Sequence, residues 1–490
     1  SPHFIYHLGS IMSLIKDLIS IVGEEYVLNG KGKDTDQDEL AAYLTDWRGR
    51  YTGRAQAIVR PANTQEVADV VKLCARYEVP IVTQGGNTGM CGGATPSNKG
   101  DAVLLVTTRL NHILNVDTVN DTITVQAGCI LQQVQEAAAK QDRLFPLSLG
   151  AEGSCTIGGN LATNAGGTQV LRYGNARDLA LGLEVVTPEG EVLNGLRSLR
   201  KDNTGYDLRN LYIGSEGTLG IITAATLKLY PQPVAECTAL VAFESLDDAL
   251  YMLNYSRKGF ASKLEGFELM SAYCLQIVNE CFPEQHLPLS LDHPWYALIH
   301  MADSDSEEQA RATFQRVLEE AFNNDIIQDA VLAESIQQSQ DLWHLRESIP
   351  LAEAIVGKGI KNDISVPISR IAPFVDDTNT ALQTWYPGVR HIIFGHLGDG
   401  NLHYNIGAPE GEEEGFLAKQ EEAFKIVFDS VTDYDGSISA EHGIGQLKKD
   451  MLPDYKDEVE ISVMRKIKRA LDPQGLMNPG KVIDSVDFDY

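Results

Sequence analysis

Residues 57–93 read AIVRPANTQEVADVVKLCARYEVPIVTQGGNTGMCGG. The stretch opens with a strand-like run, 57–61, closed by a proline. Asn63, Thr64, Gln65 and Glu66 follow, and Val67, Val70, Val71 and Cys74 recur at helical spacing. Thr64 is the expected helix cap. Pro80, Ile81 and Val82 begin a second strand that runs into a glycine-rich loop. Strand, helix and strand in this order mark an α/β element.

Outward from this unit the pattern predicts strands over 101–107, 122–127, 181–187 and 221–230, and a short amphipathic helix over 131–139. Upstream, Leu14, Ile15, Leu18, Ile19 and Ile21 form an apolar stripe on a helix expected over 14–27. Pro231-Gln232-Pro233 breaks the pattern and marks a boundary. Beyond it, strands are expected over 238–243 and 295–301, and helices over 246–259, 306–321, 335–356 (apart from Pro350), 416–432 and 460–471. Residues 267–277 carry helical spacing, while 327–333 suits a strand or a helix equally. The expectation is an α+β layer with helices on one face.

The chain has 490 residues, more than one core normally serves, so two or three domains are expected. Its 40 Lys+Arg stand against 68 Asp+Glu, a net charge of −28. That balance disfavours a nucleic-acid partner or an anionic membrane, both of which need basic surface. No run approaches the roughly 20 apolar residues of a membrane span. Seven cysteines, an odd count without a CxxC pair, point to a reducing compartment and a cytoplasmic location. Residues 1–10, SPHFIYHLGS, precede Met12 and read as a remnant ahead of a natural start.

Three glycine-rich loops carry the first chemical signal. Residues 84–93 are QGGNTGMCGG, and 150–167 are GAEGSCTIGGNLATNAGG. The third piece joins 201–207, KDNTGYD, to 213–222, IGSEGTLGII. Glycine permits left-handed backbone and close ligand approach, and successive N–H groups can cradle phosphate oxygens. The GxGxxG spacing of the usual dinucleotide clasp is absent from the first loop. Any one loop is equally a tight turn in a strand-rich domain; three together favour a nucleotide.

The second signal is HIIFGHLGDGNLHYN, residues 391–405. Two short strands around a Gly-Asp-Gly-Asn turn predict a hairpin. With His396 and His403 in opposed register, their side chains would share a face about 5 Å apart, and period two adds Asn405. Residues 437–445, SISAEHGIG, place Glu441 beside His442. Two His and one Glu match a zinc set with an open position, and equally an iron set of two His and one carboxylate. On spacing alone, hydrogen-bonded hairpin histidines are an equal reading. Arg346 and Lys361 offer a bidentate fork and a point charge for a carboxylate, although each alone reads as a solvated surface cation. Asp363 is a possible partner for either.

In order along the chain, QGGNTGMCGG, GSCTIGGNLATNAGG, RYGNARD, SLRKDNTGYDL, IGSEGTLGIIT, GHLGDGNLHYN, SAEHGIG and DPQGLMNPGK resemble the flavin-dependent D-2-hydroxyacid dehydrogenases. These belong to the vanillyl-alcohol-oxidase/p-cresol-methylhydroxylase superfamily, and the resemblance spans about 26–482. It is closest to members that oxidise D-2-hydroxyglutarate to 2-oxoglutarate. The resemblance implies a two-subdomain α/β FAD-binding domain of the p-cresol-methylhydroxylase type over 57–230. An N-terminal helical segment (12–56) would precede it. An antiparallel-sheet substrate and metal domain (231–448) would follow, and a C-terminal helical segment (449–490) would return to the FAD domain.

Carried over by motif, the resemblance puts the pyrophosphate loop on Gln84, Gly85, Gly86, Asn87, Thr88, Gly89, Gly92 and Gly93. It puts the isoalloxazine and ribityl region on Pro146, Ser148, Gly150, Ser154, Gly158, Gly159, Asn160, Thr163, Asn164 and Gly166. Gly217 and Ile222 would touch the adenine side, and Asn478 the flavin ring. His396, His403 and Glu441 would hold a divalent metal, zinc first, with manganese, cobalt or iron as alternatives. His442 would be the general base, with Arg346, Lys361 and Asn405 on the substrate. His112 is the one histidine in 57–230 and lies outside the glycine loops, so the FAD is expected to be noncovalent. Cys91 and Cys155 leave a thioether formally open.

The family carries a hydroxyl residue where this chain has Pro350, and an aromatic where it has Asn362, so D-lactate, D-malate or another D-2-hydroxy acid stays open as substrate. The implied acceptor is an electron-transfer flavoprotein or a quinone-linked carrier, and a homodimer is possible. The rival from a different class is a non-catalytic nucleotide- or metal-binding module.

Overall fold

The computed structural model describes residues 2–484, with side chains from Met12 onward. Ser1 and the side chains of 2–11 lie outside the described residues, and with them the expectation for 1–10. The chain divides into two compact units. The first comprises 1–165, 175–231 and 442–490; the second comprises 166–174 and 232–441.

The first unit holds two main sheets. The smaller places Val27–Asn29, Ala57–Val59, Val103–Val106 and Ile81–Gln84 side by side. Its last three strands are parallel, as the strand–helix–strand reading requires. Both faces are covered, in period two. Ala57, Val59, Ile81, Val103 and Leu105 pack with helix Thr64–Arg76 and the N-terminal helix. Ile58, Val82, Leu104 and Val106 pack with Leu40 and Leu44 of helix Gln37–Leu44. The cap of Thr64–Arg76 is Asn63, not Thr64: the Asn63 side chain accepts from Glu66 N at 2.9 Å, and Glu66 accepts from Ala62 N. The N-terminal helix is Pro2–Val22, stopped by Gly23 at φ 95° rather than running on to Val27.

The larger sheet of this unit is antiparallel, in the order Ile113–Asp117, Thr122–Gln126, Ile221–Lys228, Ala180–Val186, Val192–Gly195. The C-terminal segment joins the smaller sheet: Met477 bridges Ile81 in parallel, and Asn478 N donates to Ile81 O at 2.7 Å.

The second unit is built on an eight-stranded antiparallel sheet. Its centre runs Ala235–Phe243, Trp295–Asp303, Leu264–Ser271, Arg390–His396, Asn401–Gly407. Leu240, Met270, Leu298, Ile392 and Phe394 lie under helices Ala272–Cys281, Ile336–Glu347 and Ile349–Val356. Helices Leu246–Phe260 and Glu307–Asn323 cover the opposite face, where Cys237 meets the charges of Arg311 and Glu307. Helices on one face only were expected; both faces are covered.

The same double burial explains one misread segment. Leu264–Ser271 is buried at seven consecutive positions, so its residues carry no in–out period, and 267–277 is a strand followed by a helix. Asp329–Leu332 is a strand. The helical stretch expected over 335–356, with Pro350 as its exception, is two helices: Pro350 lacks the N–H to continue the first and sits in the opening turn of the second. That expected over 416–432 breaks into Glu413–Leu417 and Gln420–Asp433. All seven cysteines are free thiols. No helix among the described residues is long and apolar enough to cross a membrane.

Candidate active site

In the first unit the glycine loops meet. A Cβ added to Gly86 would lie 2.0 Å from Ser154 O, and one on Gly85 would lie 2.3 Å from Thr156 Oγ1. Only glycine lets loop 84–93 press on loop 150–167. Gln84 and Asn87 are spent on holding the loop. Gln84 Nε2 donates to Tyr43 O at 2.8 Å, and Asn87 Nδ2 to Thr45 O at 2.8 Å. The backbone N–H groups of 86–90 have no protein acceptor among the described residues. A run of such donors beside open glycines (nothing lies within 4 Å of a Cβ on Gly89 or Gly150) suits a diphosphate.

The other expected cofactor residues fall in three groups. Thr156 caps helix Ile157–Ala162, which carries Gly158, Gly159 and Asn160. Asn160 is buried, and its Nδ2 has no oxygen or nitrogen partner, only the Cys155 thiol nearby. Such an orphaned donor fits a polar ligand edge. Other residues serve the scaffold. Ser148 donates to Glu152 at 2.5 Å, Thr163 to Gly159 O, and Asn164 accepts from Arg177 N. Pro146 is buried beside them, and Ile222 is buried in the antiparallel sheet opposite Val185. Ser154, Thr88, Gly92 and Gly93 lie on the loops themselves.

Asn478, at φ 47°, locks the third loop: its Nδ2 donates to Gly93 O at 3.0 Å and Glu216 O at 2.8 Å, and its Oδ1 accepts from buried Lys481. Gly217, at φ 73°, sits against Thr83 and Asn478. Glu216 was not foreseen. Its carboxylate accepts from Ile444 N at 3.1 Å and Gly445 N at 2.8 Å, just past His442. Burial pushes the Glu216 carboxyl up to about 6, against those two N–H groups and Lys448. His442 opens the last segment of this unit.

In the second unit His396, His403 and Glu441 converge, each offering one ligand atom within 4.8 Å of the others. The expected register is not what brings them together. His403 is paired with Phe394, and His396 with Glu268 on the neighbouring strand. The imidazoles meet on the diagonal, ring centres 5.8 Å apart. Glu441 is held by its neighbours: its Oε2 accepts from Gly167 N at 2.8 Å, and its own N–H donates to Asp363 at 2.7 Å. Gly166, expected at the cofactor, lies in this unit beside Gly167.

Glu268 organises the cluster, and the sequence reading missed it. It is buried, meets His396 Nδ1 at 2.6 Å and accepts from Arg346 Nε at 3.0 Å. An acid in a strand buried on both faces has no short-range motif; only the pairing of Glu268 with His396 reveals it. Its carboxyl falls to about 2, because the charges of His396 and Arg346 outweigh its burial. Burial alone would lower His396, but Glu268 and Glu441 hold it well above its ordinary value. His403 is the reverse: burial takes it down to about 4, despite Asp363 and Glu441. Burial raises Asp399 to about 7, with His396 opposing. With Nδ1 engaged by Glu268, His396 turns Nε2 to Glu441, 3.3 Å away. One neutral imidazole, one carboxylate and one imidazole oriented by a second carboxylate make a donor set that fits a divalent ion, which would displace the His396 proton.

Arg346 is only 8% exposed and lies over Phe394, so it is no solvated surface cation. Lys361 stands 3.6 Å from Glu353. Asn405 donates to Glu353 and accepts from Asn362 N. Asp363 accepts from Asn401 Nδ2 at 3.0 Å and from Glu441 N at 2.7 Å.

Two family models cover most of the chain. "FAD binding domain" matches 55–195, and "FAD linked oxidases, C-terminal domain" matches 232–482. The chain belongs to the FAD-linked oxidases of the p-cresol-methylhydroxylase/vanillyl-alcohol-oxidase superfamily. It is a FAD-dependent oxidoreductase closely related to the D-2-hydroxyglutarate dehydrogenases. The Xanthomonas citri pv. viticola D-2-hydroxyglutarate dehydrogenase is 40% identical over 456 residues, 92% of this chain and 94% of that one. The mitochondrial enzyme of Rattus norvegicus is 38% identical over 453 residues, 92% and 82% of the two chains.

Among solved structures, p-cresol methylhydroxylase with substrate bound shares this superfamily fold at a TM-score of 0.77 and 17% identity, over 98% of both chains. The expectation of a cytoplasmic location is overturned: the Rattus norvegicus, Bos taurus and Danio rerio relatives are all named as mitochondrial. A low, unpaired cysteine count reports a reducing environment and does not say which compartment provides it.

Proposed function

We propose that this FAD-linked oxidase converts D-2-hydroxyglutarate to 2-oxoglutarate with the help of a divalent ion on His396, His403 and Glu441. The observation that carries the metal role is the convergence of these three side chains with Glu268 behind His396. FAD supplies the two-electron acceptor, and the ion supplies Lewis-acid polarisation of the substrate hydroxyl and carboxylate. Arg346 and Lys361 hold carboxylate charge, and Asn405 fixes orientation through its amide. His442, joined to Glu441 by one peptide bond, takes the hydroxyl proton as general base. The electrons then leave for an electron-transfer flavoprotein or a quinone-linked carrier, toward which the acidic chain would draw a basic docking face.

The relatives' names favour D-2-hydroxyglutarate among D-2-hydroxy acids. The test is anaerobic bleaching of the flavin with D-2-hydroxyglutarate, D-malate, D-lactate, glycolate and the corresponding L-enantiomers. D-2-Hydroxyglutarate should bleach fastest among the D-acids, with the L-series inert. Equal bleaching by both hands would reject the reading.

A further inference from the structure

Glu353 is buried on helix Ile349–Val356, against the residues expected to hold the substrate's far end. Both of its oxygens accept from Asn405 Nδ2, at 3.1 and 3.0 Å, and Lys361 Nζ stands 3.6 Å from Oε1. Asn405 Oδ1 is fixed in turn by Asn362 N at 3.1 Å. Asn405 lies two residues beyond His403 on strand Asn401–Gly407, so it shares that face about 7 Å away. One turn before Glu353, Pro350 carries no polar side-chain group.

From this geometry we infer that Glu353 is a specificity-determining residue. Its charge damps the pull of Lys361 on a second carboxylate and so admits D-2-hydroxy acids with uncharged side chains. Two physical effects add. Lys361 already faces an anion, and a second carboxylate reaching for it must approach that same anion. Glu353 acts through Lys361 and Asn405 rather than on the reacting atoms. The inference rests on the proposed function for its substrate class, and on the pairing of Glu353 with Lys361 and Asn405 for its sign.

The test compares two acids of equal carbon number, D-2-hydroxyglutarate and D-2-hydroxypentanoate, in the holoenzyme and in Glu353→Gln. The ratio of kcat/KM for the dicarboxylate over the monocarboxylate should rise about tenfold in Glu353→Gln, mainly through KM. The gain should vanish in Glu353→Gln/Lys361→Gln. Calorimetric binding of 2-oxoglutarate and 2-oxopentanoate to the oxidised holoenzyme should show the same shift without turnover. A merely structural role for Glu353 would weaken both ligands alike, and an unchanged or falling ratio overturns the inference. If neither hydroxy acid bleaches the flavin of the unmodified protein, the functional reading fails by itself, while the calorimetric ratio still decides the role of Glu353. Should Glu353→Gln not fold, Glu353→Asp serves: it keeps the charge, so its ratio should stay near that of the parent, and a tenfold rise there would also overturn the inference.

Discussion

Glu268 and His396 face each other across paired strands, carboxylate to Nδ1 at 2.6 Å, and this pairing sets which imidazole nitrogen is left for an ion. Carboxylates behind ligating histidines orient the ring and raise its basicity. Glu268→Gln should therefore lower divalent-ion affinity about 10- to 100-fold. Titration with zinc in a chelator-buffered series checks this, and unchanged affinity would remove Glu268 from the site.

The contact of the two glycine loops predicts a cofactor phenotype. Gly86→Ala would push a methyl to 2.0 Å from Ser154 O, so one loop must shift. The purified variant should lose most of its FAD, read as the flavin-to-protein absorbance ratio after gel filtration. Gly415→Ala, where nothing lies within 4 Å, should keep it.

Lys468 ties the C-terminal segment down from a buried position, donating to Thr218 O, Met477 O and Asp472, the last at 2.6 Å. Lys468→Met leaves Asp472 buried without its cation. The loss should be about 3–5 kcal/mol, visible as a lowered denaturant midpoint of the first unit.

Glu216 gives a pH signature of opposite sign to most carboxylates. Its folded pKa of about 6 lies above the ordinary 4.5, so between these values the folded state binds more protons than the unfolded one. Its contribution to stability is thus full below about 4.5, falls as pH rises to about 6, and stays low above it. A shift of this size changes stability by about 2 kcal/mol. The stability difference between the parent and Glu216→Gln should drift by that amount across this window; a flat difference would contradict the burial of the carboxylate.

Local chemistry was legible where it depends on neighbours in sequence. The parallel element around Ile81–Gln84, the glycine loops and the His396–His403 hairpin all follow from short-range pattern. Three features were not legible, each for a physical reason. Asn63 rather than Thr64 caps its helix because either residue can accept from a first-turn N–H, and only backbone geometry chooses between them. Leu264–Ser271 hides its strand period because helices bury both faces of the sheet. Glu268 and Glu353 are acids without a local motif, and their roles arise from partners 128 and 52 residues away, His396 and Asn405.

The central claim is that His396, His403 and Glu441 hold a divalent ion needed for the oxidation. The direct measurement is anaerobic flavin bleaching by D-2-hydroxyglutarate after exhaustive chelation, and again after adding zinc, manganese, cobalt or iron, with metal content assayed in parallel. The account predicts loss of bleaching with retained FAD, recovery at about one ion per chain, and neither ion nor recovery in His403→Ala. Full-speed bleaching by metal-free protein would contradict it.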